Sequence, residues 1–174
     1  MQDKIFRISL IGPESSGKTF LAEALAKHFN TIWVPEFARH YVENLNRLYT
    51  KEDILYCAIM QFESEQLALQ NANRFLFADT EMINNSVWLK DVYAETDEWI
   101  EENISANPYD LYLLLKPDLP FINDPVRENE HRRDFFFDWY KRELDKRSLN
   151  YAVISGKGDE RMKNAIRDVE KIIV

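Results

Sequence analysis

Five short apolar runs recur along the chain, separated by stretches in which apolar residues repeat every three or four positions. Short continuous apolar runs between helical patterns are typical of parallel strands that are buried on both faces of a sheet. The sequence shows no internal repeat and no low-complexity linker, so the pattern predicts one α/β domain over residues 1–174. The predicted strands occupy residues 5–11, 31–35, 74–79, 110–116 and 151–155.

The helical stretches can be assigned from their apolar spacing and their first residues. One helix follows Thr50, which stands three residues before Asp53 in the spacing of a capping box. A second helix is predicted over residues 132–147, and the last begins near Asp159. The acidic stretch over residues 91–102 is interpreted as another helix with a solvated charged face. Carboxylates at this spacing would not point toward one common metal ion.

The loop after the first run matches G-x-x-x-x-G-K-[ST], the pattern of the phosphate-binding loop or P-loop. It follows a strand and opens an amphipathic helix, which is the context that the motif requires. Its glycines let the backbone wrap a polyphosphate, the amides at the helix N-terminus point at the phosphates, and its lysine adds a positive charge. We therefore expect a nucleoside triphosphate to bind here. The residues predicted to bind it are Gly12, Pro13, Glu14, Ser15, Ser16, Gly17, Lys18 and Thr19.

Charged residues follow two other predicted strands, at the sheet edge where ligands of open α/β sheets bind. Asp79 ends the third run and, with the Thr19 hydroxyl, is the expected Mg²⁺ site. Glu36 and Arg39 follow the second run, three residues apart and so on one face of a helix. Glu36 is the expected acceptor of a proton from a substrate hydroxyl, with Asp79 as the alternative base. Arg39 is expected to bind the substrate and to neutralise phosphate charge. A plain surface ion pair between Glu36 and Arg39 is the competing interpretation.

The segment from residue 117 to residue 133 holds three prolines and three arginines. This composition predicts an extended, arginine-bearing lid, which would suit phosphoryl transfer because that reaction depends on positioning and charge neutralisation. Arg127 is the expected catalytic arginine, acting with Lys18 on the transferring phosphoryl group. Solvated arginines without such a role are the alternative.

The second glycine pair of the chain follows the fifth run, at Gly156 and Gly158. Glycines here would let the backbone pass close to the adenine ring, and a simple strand-to-helix turn would require them as well. Both interpretations stay open, and Gly156 is the candidate for nucleotide binding.

Composition narrows the class of protein. An apolar fraction of 45% and an aromatic fraction of 13% are typical of a packed domain, and the net charge of −8 argues against nucleic acid or an anionic membrane as partner. We find no secretory apolar region and no apolar run of the ~20 residues that would span a bilayer. The single cysteine, Cys57, is expected to be a buried thiol. We therefore expect a cytoplasmic protein with neither nucleic acid nor a membrane as partner.

Taken in order along the chain, these motifs resemble the kinase domain of NadR-like nicotinamide riboside kinases, within the P-loop nucleoside and nucleotide kinase superfamily. The resemblance implies a three-layer α/β/α sandwich around five parallel strands in the order 2-3-1-4-5. It also implies transfer of the ATP γ-phosphate to the 5′-hydroxyl of nicotinamide riboside, which gives nicotinamide mononucleotide in NAD salvage. The matching segments are residues 12–19, 36–39, 79–81, 113–116 and 124–127.

The resemblance concerns the kinase domain only. NadR also carries a nucleotidyltransferase domain and often a DNA-binding domain ahead of its kinase domain, so neither adenylylation nor repression is implied for this chain. The aromatic residue that would stack on nicotinamide is not fixed by the motifs: Tyr41, Trp88 and Tyr93 are the candidates, and core packing is the alternative for each.

Two other functions stay open. Residues 115–118 nearly match the guanine-reading pattern [NT]-K-x-D, which would suit a GTPase-like switch or a regulatory ATPase. The first position of that pattern is wrong, however, and the glycine of the switch motif D-x-x-G is missing after Asp79. The other function is that of a kinase for a different nucleoside, because pocket shape selects the acceptor through only a few side chains.

Overall fold

A computed structural model describes residues 4–123 and 129–173. A sheet of five parallel strands forms its centre, in the order β2-β3-β1-β4-β5, which confirms the predicted topology. β3 and β4 are buried at every position, as expected of strands covered on both faces. The strands are β1 (Phe6–Ile11), β2 (Ile32–Val34), β3 (Phe75–Asp79), β4 (Leu111–Leu115) and β5 (Tyr151–Ile154).

Helices cover both faces of the sheet and complete three layers. The alternation of side chains along each strand divides the core in two, because successive residues point to opposite faces. Leu113 of β4 packs with α1 and α7, whereas Leu114 packs with α3, α4, α5 and α6. The helices are α1 (Lys18–His28), α2 (Phe37–Glu43), α3 (Lys51–Leu69), α4 (Met82–Tyr93), α5 (Glu98–Ala106), α6 (Arg133–Lys146) and α7 (Gly158–Glu170).

The predicted capping box is present at the start of α3. The Thr50 backbone N–H donates to Asp53 Oδ2 at 2.7 Å, and the reciprocal bond from the N–H of Asp53 to the Thr50 side chain completes the box. Cys57 is buried on the same helix, as expected. Among the helices of residues 4–123 and 129–173, none combines the length with the apolar composition that a membrane span requires.

The prediction of one helix over residues 91–102 is wrong. α4 ends at Tyr93 because Ala94 takes a left-handed conformation, with φ of 55°. The chain then turns, and α5 starts after Asp97, whose side chain accepts a hydrogen bond from Ile100 N at 3.1 Å. Glu101 is also less solvated than expected, because it pairs with Lys90 and Arg147, whereas Glu95, Glu98 and Glu102 are exposed as predicted.

Candidate active site

A cavity of about 850 Å³ opens at the carboxyl ends of β1, β2 and β3. This is the edge where open α/β sheets bind ligands, and the volume is in the range of small-molecule sites. The P-loop forms one wall, and side chains from α2, α4, α6 and the loop before α3 form the others. The lining includes residues 12–20 with Glu36, Arg39, Arg47, Tyr49, Thr80, Asn84, Asn85, Trp88, Asp91, Arg132, Phe136 and Tyr140.

The backbone of the P-loop explains its glycines. Gly17 is left-handed, with φ of 83°, and turns the chain into α1. At Gly12 a Cβ atom would lie 2.8 Å from the carbonyl oxygen of Leu115, so the loop passes β4 too closely for any side chain. Lys18 lies across the loop, where its Nζ donates to the carbonyl oxygens of Gly12 at 2.9 Å and Pro13 at 3.0 Å. The ammonium group is therefore held at the concave face of the loop.

Thr19 and Asp79 meet beside the P-loop, as predicted for a metal site. The Thr19 hydroxyl donates to Asp79 Oδ2 at 2.5 Å. Asp79 is buried, and its other carboxylate oxygen, Oδ1, has no hydrogen-bond partner within the described ranges. Burial raises the pKa of Asp79, while Lys18 and the Thr19 hydrogen bond oppose the rise. A buried carboxylate oxygen without a donor suits Mg²⁺, which takes one or two protein oxygens and completes its shell with phosphate and water.

Glu36 precedes α2 and faces the same cavity. Burial raises the pKa of its carboxyl to about 7, and the nearby carboxylates of Asp79 and Glu14 add to the rise. Lys18 and Arg39 act in the opposite direction. A carboxyl that is partly ionised near neutral pH has the acidity of an efficient general base.

Arg39 also lines the cavity, one turn further along α2. Its Nε donates to Glu43 Oε1 at 3.1 Å, so the ion pair within α2 involves Glu43. The structure brings Glu36 and Arg39 to one cavity wall, as the spacing predicted.

Aromatic side chains form part of the cavity wall, which we call the aromatic side. The rings of Tyr49 and Trp88 meet edge to face with centroids 4.9 Å apart, and Phe136 and Tyr140 of α6 also line the cavity. Of the three aromatic residues that the sequence offered for stacking, only Trp88 lines this cavity.

The other two aromatic candidates have structural contacts instead. The Tyr41 hydroxyl donates to Asp53 Oδ1 at 2.7 Å, and the Tyr93 hydroxyl donates to the Tyr49 carbonyl at 3.1 Å. Sequence reasoning missed Tyr49, because its place over the cavity depends on the path of an irregular loop.

The proposed lid contacts the P-loop through its described residues, whereas Arg127 lies outside them, within residues 124–128. The Arg133 Nη2 donates to the carbonyl oxygens of Ser15 at 3.1 Å and Leu119 at 2.9 Å. Arg132 reaches the cavity and makes a bidentate pair with Asp91, at 2.5 and 3.0 Å. The roles of Arg127 and of the lid stay predictions.

Gly156 takes part in a turn next to the P-loop. It is left-handed, with φ of 95°, and its N–H donates to Asp118 Oδ2 at 2.8 Å. Gly156 is not among the residues that line the cavity. The turn interpretation therefore has direct structural support, and contact with adenine stays a prediction.

A P-loop after the first strand of a sheet in this order defines a P-loop nucleotide-binding protein with a kinase-like fold. A family model described as an AAA domain matches residues 7–161, and the chain belongs to this family. The trifunctional NAD biosynthesis/regulator proteins NadR of Salmonella typhimurium (strain LT2) and Escherichia coli (strain K12) are each 27% identical over 126 residues. The match covers 69% of this chain, which spans 30% of the length of those relatives.

Solved structures agree with the sequence matches. A crystal structure of NadR protein in complex with NR has a TM-score of 0.85 and 25% identity, covering 97% of this chain and 51% of that one. A deoxyadenosine kinase from M. mycoides has a TM-score of 0.68 at 10% identity, covering 95% of this chain and all of that one, a likeness of fold alone. The resemblance that the motifs indicated is confirmed.

Proposed function

We propose that this chain is an ATP-dependent kinase that phosphorylates the 5′-hydroxyl of nicotinamide riboside and so forms nicotinamide mononucleotide in NAD salvage. The observation that carries the proposal is a cavity lined both by the P-loop lysine, Lys18, and by the carboxyl of Glu36, whose pKa is raised by burial to about 7. The similarity to NadR in complex with NR supports the acceptor. The similarity to NadR in complex with NAD and AMP-PNP, at a TM-score of 0.82 and 22% identity, agrees in fold. Such an enzyme would act in the cytoplasm, as expected from the sequence.

The P-loop would bind the triphosphate of ATP through its backbone N–H groups. The Lys18 ammonium would leave the carbonyl oxygens of Gly12 and Pro13 and contact the transferring phosphoryl group, where it offsets negative charge. Thr19 and Asp79 would hold Mg²⁺, directly or through water. When bound, Mg²⁺ neutralises charge on the terminal phosphates of the nucleotide.

Glu36 would accept the proton of the attacking hydroxyl. It lines the open cavity, and the raised pKa makes it a stronger base than an ordinary carboxylate. Asp79, the alternative base, is fully enclosed and already accepts the Thr19 hydroxyl hydrogen. We therefore assign the base role to Glu36 and the metal role to Asp79.

The aromatic side of the cavity would hold the nucleoside. Trp88 and Tyr49 offer ring faces and edges to a flat base, and Asn84 and Asn85 offer amide groups to its polar atoms. Arg39 and Arg127 would add positive charge near the phosphates. The cavity thus has an anion-binding side and an aromatic side, as transfer from a nucleotide to a nucleoside requires.

A guanine-specific switch is the second candidate, and the contacts of Asp118 count against it. In this structure its carboxylate accepts hydrogen bonds from Arg161 at 2.5 Å and from Gly156 N at 2.8 Å. A carboxylate with these two donors is less available to the N–H groups of guanine. Competition of ATP against GTP for the ligand-free protein separates the two functions, because a strong GTP preference would favour the switch.

A coupled ADP-release assay across a panel of nucleosides tests the proposal. We expect nicotinamide riboside to give the highest kcat/KM, and Lys18→Ala to abolish the signal. A clear preference for another nucleoside would keep the kinase and replace the acceptor. ATP binding without phosphorylation of any nucleoside would refute the proposal.

A further inference from the structure

We propose that Arg161 and Asp118 are positioning residues that hold the ATP-binding backbone in its binding-competent shape. This inference rests on the proposed function only in taking ATP as the nucleotide. Arg161 lies in the first turn of α7 and is 5% exposed, and it lines no part of the cavity. Asp118 follows β4 in the segment that nearly matches the guanine-reading pattern.

Four acceptors surround the Arg161 guanidinium. Its Nη2 donates to the carbonyl oxygens of Ser16 at 2.7 Å and Lys116 at 2.9 Å. Its Nη1 donates to Asp118 Oδ1 at 2.5 Å and to the Gly156 carbonyl at 2.9 Å. One side chain thereby joins the P-loop, the end of β4 and the β5–α7 turn, which are distant in sequence.

The bond to Ser16 has a direct consequence for phosphate binding. In a planar trans peptide unit the C=O and the following N–H point in opposite directions. Because Arg161 holds the Ser16 carbonyl, the Gly17 N–H is turned away from Arg161. That N–H belongs to the loop whose amides would bind phosphate. Arg161 therefore fixes the direction of a phosphate-binding amide without touching the nucleotide.

Asp118 makes this arrangement stable. A buried guanidinium is costly unless it is paired and hydrogen-bonded, and Asp118 supplies the opposite charge. The second oxygen of Asp118 accepts from Gly156 N, so the two glycine-bearing loops are tied to one ion pair. None of these partners lies on the aromatic side of the cavity. The ion pair should therefore affect the affinity for ATP and not the affinity for the nucleoside.

The test uses Arg161→Lys and Asp118→Asn, with Arg147→Lys as the matched control. Lysine keeps the charge at position 161 but cannot reach four acceptors in the planar geometry of a guanidinium. Arg147 is a partly buried arginine, paired with Glu101 and Glu143 away from the P-loop. Calorimetry measures the Kd for ATP without any acceptor, and steady-state kinetics measures the KM for nicotinamide riboside.

We expect Arg161→Lys to raise the Kd for ATP roughly tenfold, as for the loss of a hydrogen bond to a charged group. Asp118→Asn should raise it less, because asparagine still accepts from Gly156 N. The KM for nicotinamide riboside should change less than about twofold, and the control should leave the Kd for ATP unchanged. Unchanged ATP affinity in both variants, or an equal loss for ATP and nucleoside, would overturn the inference. If the chain phosphorylates no nucleoside, the calorimetry still decides it.

Discussion

Replacing Glu36 by glutamine removes the proposed base while keeping the size and polarity of the side chain. Loss of a general base costs about 10²- to 10⁴-fold in rate, so we expect kcat to fall by this amount. The Kd for ATP should stay nearly constant, because the triphosphate is bound by the P-loop. Glu43→Gln is the matched control, since Glu43 lies on the same helix and pairs only with Arg39 among the partners described.

The pH dependence of the wild-type protein gives the magnitude of the effect. The pKa of Glu36 rises from 4.5 to about 7. If Glu36 must be ionised, kcat/KM at pH 6 should be about tenfold below its plateau at alkaline pH. A carboxyl with an ordinary pKa would be almost fully ionised at pH 6, and the profile would be flat. The assay measures kcat/KM for nicotinamide riboside at sub-saturating ATP, so that the profile reports the nucleotide-free protein.

The same pKa predicts an effect on stability. Between pH 4.5 and about 7 the folded protein binds more protons at Glu36 than the unfolded chain, so this residue lowers stability as pH rises through that range. Glu36→Gln removes the penalty. At ~1.36 kcal/mol per pKa unit, the variant should be more stable than wild type by up to about 3 kcal/mol at pH 8, and by almost nothing at pH 4. Urea unfolding at the two pH values measures the difference.

Three results would refute this reasoning about Glu36. The first is a Glu36→Gln variant that keeps full turnover. The second is a flat kcat/KM profile between pH 6 and pH 8, with ATP binding measured in parallel to remove the titration of the nucleotide itself. The third is a variant whose stability relative to wild type does not change between pH 4 and pH 8.

Four further substitutions test other parts of the site. Lys18→Ala should weaken ATP binding and abolish transfer, as measured by calorimetry and product formation; wild-type affinity would contradict its place at the phosphates. Asp79→Asn should keep most ATP binding but lose Mg²⁺-dependent turnover. An unchanged dependence of turnover on Mg²⁺ concentration would contradict the assignment of Asp79 as a metal ligand. Trp88→Ala should raise the KM for the nucleoside about tenfold or more, the size of an aromatic stacking contact, with Trp99→Ala as control because Trp99 packs on Phe62 outside the cavity. Gly12→Ala should lower the free energy of unfolding by about 1–3 kcal/mol, because its Cβ would meet the Leu115 carbonyl, and an unchanged urea midpoint would contradict that contact.

Local chemistry made much of this protein predictable from its sequence. The buried strands are continuous apolar runs, and the P-loop requires glycine at two positions where the backbone is left-handed or too close to β4 for a side chain. Glu36 follows β2 directly, and parallel strands bring their carboxyl ends to one edge of the sheet. Its place in the cavity could therefore be predicted, whereas its raised pKa depends on burial that only the folded chain supplies.

Three features of the structure could not be predicted from the sequence, and two of them depend on contacts between distant segments. Arg161 stands in a helix that is strongly polar apart from its core face, and no spacing rule shows that its side chain reaches Ser16. Tyr49 belongs to an irregular loop, and its ring packs on Trp88 of α4. The break between α4 and α5 was missed because Ala94 is an ordinary helix-forming residue that here adopts a left-handed conformation.

The most direct test of the central claim is to incubate the purified chain with ATP, Mg²⁺ and nicotinamide riboside and to quantify the products by mass spectrometry. If this cavity transfers phosphate from ATP to the nucleoside, we expect nicotinamide mononucleotide and ADP in equal amounts. The Lys18→Ala variant should form neither product. ADP and free phosphate without nicotinamide mononucleotide, or no turnover although ATP binds, would contradict the account.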